Sequence, residues 1–314
     1  MNASLAVSPV FLNLLANRQG KPAALVFSGA PQDGLPQALA ELAQKLPCFY
    51  RGEDAALAAA GWHTRPGQRV LRTDDSVLLP APEIDWIEGD WALQPPQRPS
   101  GSQAASRALA LQLVQLVSND AENHEIEAVL RRDPTLSYHL LKLVNSLGMG
   151  TGRKITSFNQ AILILGRAQL RRWLNLMLFA ARDGDLRSAM LLARVSVRAR
   201  MLELLARATG QGKAAQEQAF MAGMFSLLGV LFGMPLEQLL APLSIGEAAL
   251  QALLQKQGEL GELLSIVEAA ERGAFADVAR RLEALQVSPA EFNAIVADAN
   301  LWMLEVTGEV AAHG

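Results

Sequence analysis

The sequence has one cysteine, few aromatic residues and no long uninterrupted apolar run. Cys48 is the single cysteine among 314 residues, which excludes an internal disulfide and any cluster of several thiolate metal ligands. We therefore expect a reducing, cytoplasmic setting. Aromatic residues make up 5% of the chain, and their scarcity argues against a β-rich domain, which draws on aromatic and β-branched residues.

No segment predicts a signal peptide or a membrane span. The N-terminal stretch has no basic residue ahead of its apolar part, as a signal peptide would. The longest uncharged run, residues 218–236, is interrupted by several glycines and by Pro235. A buried helix accounts for it better than a bilayer span, so we expect no contact with a membrane.

Charge is unevenly distributed, although the net charge is only −3. Residues 131–213 carry 15 Lys and Arg against 4 Asp and Glu, whereas residues 214–314 carry 4 against 13. Residues 1–130 carry 9 against 14. Segregation of this kind concerns the partners of a protein rather than its fold.

A stretch rich in Pro, Gly and Ser, QPPQRPSGSQAAS at 94–106, divides the chain, because it sustains neither a helix nor a central strand. Before it, ALVFSG, PCFYRG, QRVLR and SVLLP are typical of strands, and LPQALAELAQKL is typical of a helix. After it, apolar residues recur at helical spacing almost throughout, notably over about 185–209, 214–232, 246–256, 259–272, 276–286 and 289–306. The predicted fold class is mainly α, with a small α/β domain at 1–98 followed by an all-helical domain at 104–314.

Two segments of the helical part, RRDPTLSYHLLKLVNSLG (131–148) and ITSFNQAILILGRAQLRRWL (155–174), resemble the HDOD (HD-related output domain) family. The resemblance rests on Asp133-Pro134, Asn145-Ser146 and Leu165-Gly166 with the apolar residues between them, and it extends to about residue 305. It implies an all-helical domain related to the HD phosphohydrolases and a role in bacterial signal transduction.

The resemblance also indicates where the metal-binding residues of a true HD phosphohydrolase would lie. In AFMAGMFSLLG, Ser226 and Leu227 stand at the positions of the His-Asp pair, and Val195 stands at that of an upstream histidine. Such a hydrolase needs His and Asp side chains that converge on a water-activating metal, whereas leucine has no ligand atom and serine is a poor ligand. We therefore expect no metal, no cofactor and no catalysis.

The segment EGDWALQPP (88–96) is similar to the end of an EAL-type cyclic-di-GMP phosphodiesterase barrel. About 100 residues fall short of an eight-stranded barrel, which takes ~200 or more. The ExL start and the DDFG-like segment of that family are absent, and Asp74-Asp75 are expected to form a solvated turn. The resemblance therefore implies a reduced, degenerate EAL-like domain without hydrolytic activity.

The basic residues of the helical part define a candidate docking face for a partner protein. Arg167, Arg171 and Arg172 recur on one side of a predicted helix, and the full set is Arg153, Lys154, Arg167, Arg171, Arg172, Arg194 and Arg198. A solvated face that offsets the acidic remainder of the chain is an equally weighted interpretation. Nucleic acid is the least favoured partner, because only Trp173 lies nearby for base stacking.

Together these features predict a non-catalytic bacterial signalling protein whose helical domain binds other signalling proteins, with homodimerisation left open. Two alternatives stay open at this point. One is a catalytically inactive receptor for a cyclic dinucleotide, and the other is a nucleic-acid-binding adaptor that uses the basic face and binds in a salt-dependent manner.

Overall fold

The structure is a computed structural model. It describes residues 7–30, 37–77, 80–96, 112–113, 115–116, 119–130, 172, 175–176, 186–243 and 245–311.

The N-terminal region is an α/β unit, as the sequence predicts. Its six strands and two helices are β1 (Phe11–Ala16), β2 (Pro22–Ser28), α1 (Ala38–Lys45), β3 (Cys48–Tyr50), α2 (Ala55–Ala59), β4 (His63–Thr64), β5 (Val70–Arg72) and β6 (Trp86–Glu88). The strands form one sheet in the order β4-β3-β2-β1-β6-β5.

Only β1 runs against the other strands of this sheet. It pairs antiparallel with both β2 and β6, whereas β2 with β3, β3 with β4, and β5 with β6 are parallel. The carboxyl ends of five strands therefore lie at the same end of the sheet. The sheet is also curled, since Arg51 after β3 and Arg65 after β4 both reach Glu88 at the end of β6.

Strands β1, β2 and β3 are strongly apolar and mostly buried, whereas β4 is exposed. Five of the six residues of β1 are buried, which explains why FLNLLA lacks the alternation of a half-exposed strand. Helix α1 buries Leu39 and Leu42. The indole Nε1 of Trp62 donates to the carbonyl oxygen of Leu39 at 2.9 Å, which fixes α1 against the segment before β4.

Three of the four predicted strand segments are confirmed, as β2, β3 and β5. The SVLLP segment is not a strand at Ser76 and Val77, and Leu78-Leu79 lie outside the described residues. Asp74-Asp75 form the expected exposed turn, in which Asp75 N–H donates to Thr73 Oγ1 at 3.0 Å. Strands β1, β4 and β6 were not predicted.

From residue 186 onward the described chain is helical. The helices outside the N-terminal region are α3 (Asn123–Leu130), α4 (Ser188–Ala208), α5 (Lys213–Phe225), α6 (Leu228–Phe232), α7 (Leu236–Leu240), α8 (Glu247–Gln255), α9 (Gly258–Glu271), α10 (Phe275–Ala284) and α11 (Pro289–Ala311). Most agree with the predicted ranges to within a few residues. The predicted helix 214–232 is wrong as one unit, because the chain turns at Ser226-Leu227 between α5 and α6.

Helix α4 is the centre of the helical part. Most of its residues are buried, as expected for a helix that is apolar on nearly every side. It packs against α5, α9 and α11 and also against β1 and β2. Among the described residues, no helix combines the length and the apolar character that a membrane crossing requires.

The sheet and the helices share one hydrophobic core, which extends from Leu12 and Leu25 in the sheet to Met190 and Val296 in the helices. The amide of Val10 donates to Asn293 Oδ1 on α11 at 2.9 Å, and Asn293 Nδ2 donates to the carbonyl oxygen of Ser8 at 2.9 Å. The predicted boundary between residues 98 and 104 lies outside the described residues.

The single cysteine supplies a test of this core. Cys48 on β3 is 1% exposed, and burial raises the pKa of its thiol from 9.0 to about 12. We expect negligible labelling by a thiol reagent at about pH 8 in the native protein and complete labelling in denaturant, since the thiolate is the reactive form.

The same shift predicts a pH dependence of stability. The unfolded thiol ionises first, so the Cys48 contribution to stability is full below about pH 9 and decreases as the pH rises towards 12. Cys48→Ala should remove this alkaline component from urea titrations. Rapid labelling of the native protein would contradict the buried position.

Candidate functional site

Helices α4 and α5 approach each other unusually closely. Gly223 of α5 lies against Ala199 of α4, and a Cβ atom placed on Gly223 would come within 2.4 Å of the Cα of Ala199. Only glycine permits this approach. The turn that ends α5 at Ser226 is thereby held against the middle of α4.

A charged side chain of α4 occupies this turn. Arg198 is 6% exposed, and its Nη1 donates to Ser226 Oγ at 2.9 Å. Its Nε and Nη2 donate to the two carboxylate oxygens of Glu271 on α9, at 2.9 and 2.5 Å. We call Arg198, Ser226 and Glu271, with the more distant Glu268, the Arg198 network.

The electrostatics of this network favour a permanently charged guanidinium. Burial is the largest single influence on the pKa of Arg198 and lowers it, but the carboxylates of Glu271, Glu268 and Asp90 together outweigh burial, so the pKa is raised. Nη1 of Arg198 lies 3.7 Å from Glu268 Oε1, which also pairs with Lys256 Nζ at 2.7 Å. The bidentate contact with Glu271 is the geometry in which arginine pairs most strongly with a carboxylate.

The three positions predicted for a lost metal site lie in and around this network. Val195 is fully buried on α4, three residues before Arg198, and Leu227 is 4% exposed. Ser226 Oγ donates to the carbonyl oxygen of Gly223 at 2.6 Å while it accepts from Arg198. In the described part of the chain, no three His, Cys, Asp or Glu side chains are grouped so that they could hold a metal.

Three members of the candidate docking face are engaged within the chain. Besides Arg198, Arg194 Nη1 donates to Asp90 Oδ1 at 2.7 Å, and its Nη2 donates to the carbonyl oxygen of Gly89 at 2.8 Å. Arg194 therefore joins α4 to the segment after β6. Arg153, Lys154, Arg167 and Arg171 lie outside the described residues, so for these four the docking face stays a prediction.

Arg172 is also committed to intramolecular contacts. Its Nε donates to Glu217 Oε2 at 2.7 Å and its Nη2 donates to Glu203 Oε1 at 2.6 Å. Its guanidinium lies 4.2 Å from the ring centroid of Phe220. Burial is the largest single influence on the pKa of Arg172 and lowers it, but the hydrogen bonds to Glu217 and Glu203 and the charges of these two carboxylates together outweigh burial and raise it. Part of the local positive charge is thus neutralised by acidic residues of α4 and α5.

A small cleft separates β1 from the Arg198 network. It is lined by apolar residues of β1 and α4 and by the charged side chains of Asp90, Arg194 and Glu271. Its volume is about 40 Å³, room for a few water molecules. Ligand pockets are roughly 300–1,000 Å³, so this cleft does not accommodate a dinucleotide.

The sequence reasoning missed the centre of the site. Arg198 appeared only as part of a basic face, although VSVRARMLELL places it in a helix with apolar residues on every side. A charge in such a helix requires a buried partner, and that signal was available. Its partner Glu271 is 73 residues away in the chain, and no local pattern identifies it.

A second charged cluster was also missed. Arg51, Arg65 and Arg72 all contact one carboxylate, that of Glu88. Each arginine ends or directly follows a short strand, in CFYR, HTR and VLR, and this recurrence was a signal that could have been used.

Comparison with known proteins places Arg198 and Ser226 of the Arg198 network in a recognised domain. The family model described as HDOD domain matches residues 105–242, which include α4, α5, Ser226 and Leu227. Glu268 and Glu271 lie beyond the match, so the Arg198 network joins this domain to the helices that follow it.

Two curated relatives are each 33% identical to the chain. One is an uncharacterized protein, YuxH, of Bacillus subtilis, aligned over 141 residues, or 44% of this chain and 34% of the relative. The other is a cyclic di-GMP phosphodiesterase, CdgJ, of Vibrio cholerae, aligned over 165 residues, or 52% of this chain and 38% of the relative. The chain thus spans little more than a third of the length of either relative.

The chain was also compared with a solved structure, that of an HDOD domain protein of unknown function from Geobacter sulfurreducens. The two are 17% identical in sequence, and the match covers 69% of this chain and 92% of the Geobacter chain. The TM-score between the two structures is 0.38.

Proposed function

Because the chain carries an HDOD domain at residues 105–242, we propose that it is a non-catalytic signal-transduction protein that acts through protein–protein contacts of this domain. The observation that carries the proposal is the Arg198 network. On the resemblance to the HD phosphohydrolases, Ser226 and Leu227 stand at the positions of the metal-binding His-Asp pair, and the buried guanidinium of Arg198 donates to Ser226.

The donor chemistry of this region opposes a bound metal. The Ser226 hydroxyl is already engaged as donor and acceptor, and Leu227 offers no ligand atom. The Arg198 cation holds both oxygens of Glu271 and would repel a second cation. Without a metal, the water activation on which HD-type hydrolysis depends is lost.

We assign the N-terminal region a regulatory role as a reduced EAL-like unit. Support comes from its direct contacts with the helical part, where Asp90 pairs with Arg194 on α4 and Val10 bonds to Asn293 on α11. A change in the sheet would reach α4 and α11 through these contacts. The activity in the name of the Vibrio cholerae relative belongs to that protein, and for this chain we propose the regulatory part of such a system.

The catalytic side of the proposal is tested by measuring metal content and phosphodiesterase turnover of the purified protein. We expect substoichiometric metal and no release of product from cyclic-di-GMP or from a chromogenic phosphodiester, with or without added Mn²⁺ or Mg²⁺. Turnover that a chelator abolishes and added metal restores would overturn it.

The binding side is tested by charge reversal at two residues of the docking face. Arg172 is unsuitable, because its reversal would break the contacts with Glu203 and Glu217. We expect Arg167→Glu/Arg171→Glu to abolish capture of a defined set of proteins from a bacterial lysate. Arg272→Glu/Arg280→Glu, an equal charge change at exposed positions, should leave that set unchanged. Loss of the set in both variants, or in neither, would contradict a specific docking face.

A further inference from the structure

The carboxyl ends of the parallel strands carry a concentration of positive charge that the proposed function does not use. Arg51 follows β3, Arg65 follows β4, Arg72 ends β5 and Glu88 ends β6. In α/β sheets, ligands bind at this end of the strands. The curl of the sheet brings the two outer pairs of strands together here.

The four side chains form one contact set. Arg65 Nη2 lies 2.8 Å from Glu88 Oε2, Arg72 Nε lies 3.1 Å from the same oxygen, and Arg51 Nη2 contacts Glu88 Oε1. One carboxylate therefore faces three guanidinium groups, which leaves two positive charges without an acidic partner inside the set. We call these residues the arginine cluster.

The arginine cluster has more hydrogen-bond donors than Glu88 can accept. Each guanidinium carries five N–H donors, whereas a carboxylate has about four acceptor positions. The buried Nε of Arg65 finds no hydrogen-bond partner among the described residues. The Arg51 and Arg72 side chains are 44% and 56% exposed, so a ligand can reach them from solvent.

The electrostatics of the arginine cluster also favour the binding of an anion. Burial is the largest influence on the pKa of Arg65 and lowers it. The Glu88 carboxylate raises that pKa, but the positive charges of Arg72 and Arg51 lower it again. Three arginines held this close repel one another, and an anion between them would relieve the repulsion.

We propose that the arginine cluster binds the phosphate group of a small anionic ligand, with Arg51 and Arg72 as the solvent-facing clamp and Arg65 as the buried donor. Arginine forks match the tetrahedral oxygens of a phosphate and bind them in a bidentate manner. Glu88 contacts all three guanidinium groups and so fixes their orientation. The site shares no residue with the Arg198 network and does not depend on the function proposed above.

The test is calorimetry and thermal unfolding of the full chain with inorganic phosphate, a nucleoside monophosphate and cyclic-di-GMP in separate arms, against sodium chloride of equal ionic strength. We expect saturable stabilisation by at least one phosphate-bearing probe. The arm that binds most tightly identifies whether the phosphate belongs to the free ion, a mononucleotide or a dinucleotide.

Variants make the result specific. Arg51→Gln and Arg72→Gln should each weaken binding about tenfold, since each removes a charge-assisted contact. Arg69→Gln is the matched control, because Arg69 directly precedes β5, is 62% exposed and pairs with Asp85 instead. It should change affinity less than about twofold.

Circular dichroism of each variant confirms that it is folded. No saturable binding in any phosphate arm, or equal weakening by Arg69→Gln, would overturn the proposal.

Discussion

Replacement of Arg198 by methionine should lower the free energy of unfolding by about 3–5 kcal/mol, the usual effect of removing one partner of a buried ion pair. Methionine preserves most of the apolar stem, so the loss isolates the guanidinium. Glu271 would then be left partly buried without its bidentate partner, and Ser226 Oγ would lose a donor. Urea unfolding followed by circular dichroism measures the change.

A double variant distinguishes the ion pair from simple packing. Arg198→Met/Glu271→Gln removes both charges, and we expect it to be more stable than Arg198→Met alone, because no unpaired buried charge remains. Arg280→Met is the surface control, since Arg280 pairs with the neighbouring Asp277 and its side chain is 69% exposed. A loss after Arg198→Met no larger than that of the control would contradict a structural role for the Arg198 network.

Gly223→Ala should destabilise the protein by about 3 kcal/mol, at the upper end of the usual cost of overpacking. Alanine is a better helix former than glycine by roughly 1 kcal/mol, so an isolated helix would gain. In the folded protein the new Cβ would lie 2.4 Å from the Cα of Ala199 and 2.8 Å from its backbone nitrogen. Because these are backbone atoms, the two helices must separate.

A glycine-to-alanine substitution at a position with free space around it should not destabilise the protein. A Cβ on Gly67 meets nothing within 4 Å, and its φ is not in the left-handed region, so Gly67→Ala should be neutral or stabilising by about 0.4–1 kcal/mol. Thermal unfolding of both variants decides the matter. Equal melting temperatures would show that α4 and α5 are free to move apart at Gly223.

Long, strongly patterned helices could be predicted from the sequence to within a few residues. Helix α4 was expected at 185–209 and spans Ser188–Ala208. Local propensity failed where tertiary packing decides the structure. The turn at Ser226-Leu227 lies in an apolar stretch, 214–232, whose spacing predicted one helix. Strand β1 is buried on both faces, so its Leu-rich sequence carries no strand periodicity.

The site was predictable only where it depends on residue identity at aligned positions. Ser226 and Leu227 could be identified because they differ from the His-Asp pair that the resemblance to HD phosphohydrolases leads one to expect. The pairing of Arg198 with Glu271, in contrast, depends on the packing of α4 against α9. The convergence on Glu88 depends in the same way on the curl of the sheet, which brings β3 and β4 to β6. Distances of this kind are set by the fold and leave no local trace in the chain.

The hydrogen bonds of Asn293 to the segment before β1 have a consequence for synthesis of the protein. Val10 and Asn293 are 283 residues apart in the chain, a delay of about 14–57 s at a translation rate of 5–20 residues per second. During that interval the amide of Val10, directly before β1, lacks its native partner, and β1 lacks the helix α11 that packs against it. The strands of the sheet can pair earlier, since all of them lie within residues 11–88, but α11 covers β1 only after that helix has left the ribosome. The N-terminal region is therefore exposed to aggregation or chaperone capture throughout this interval.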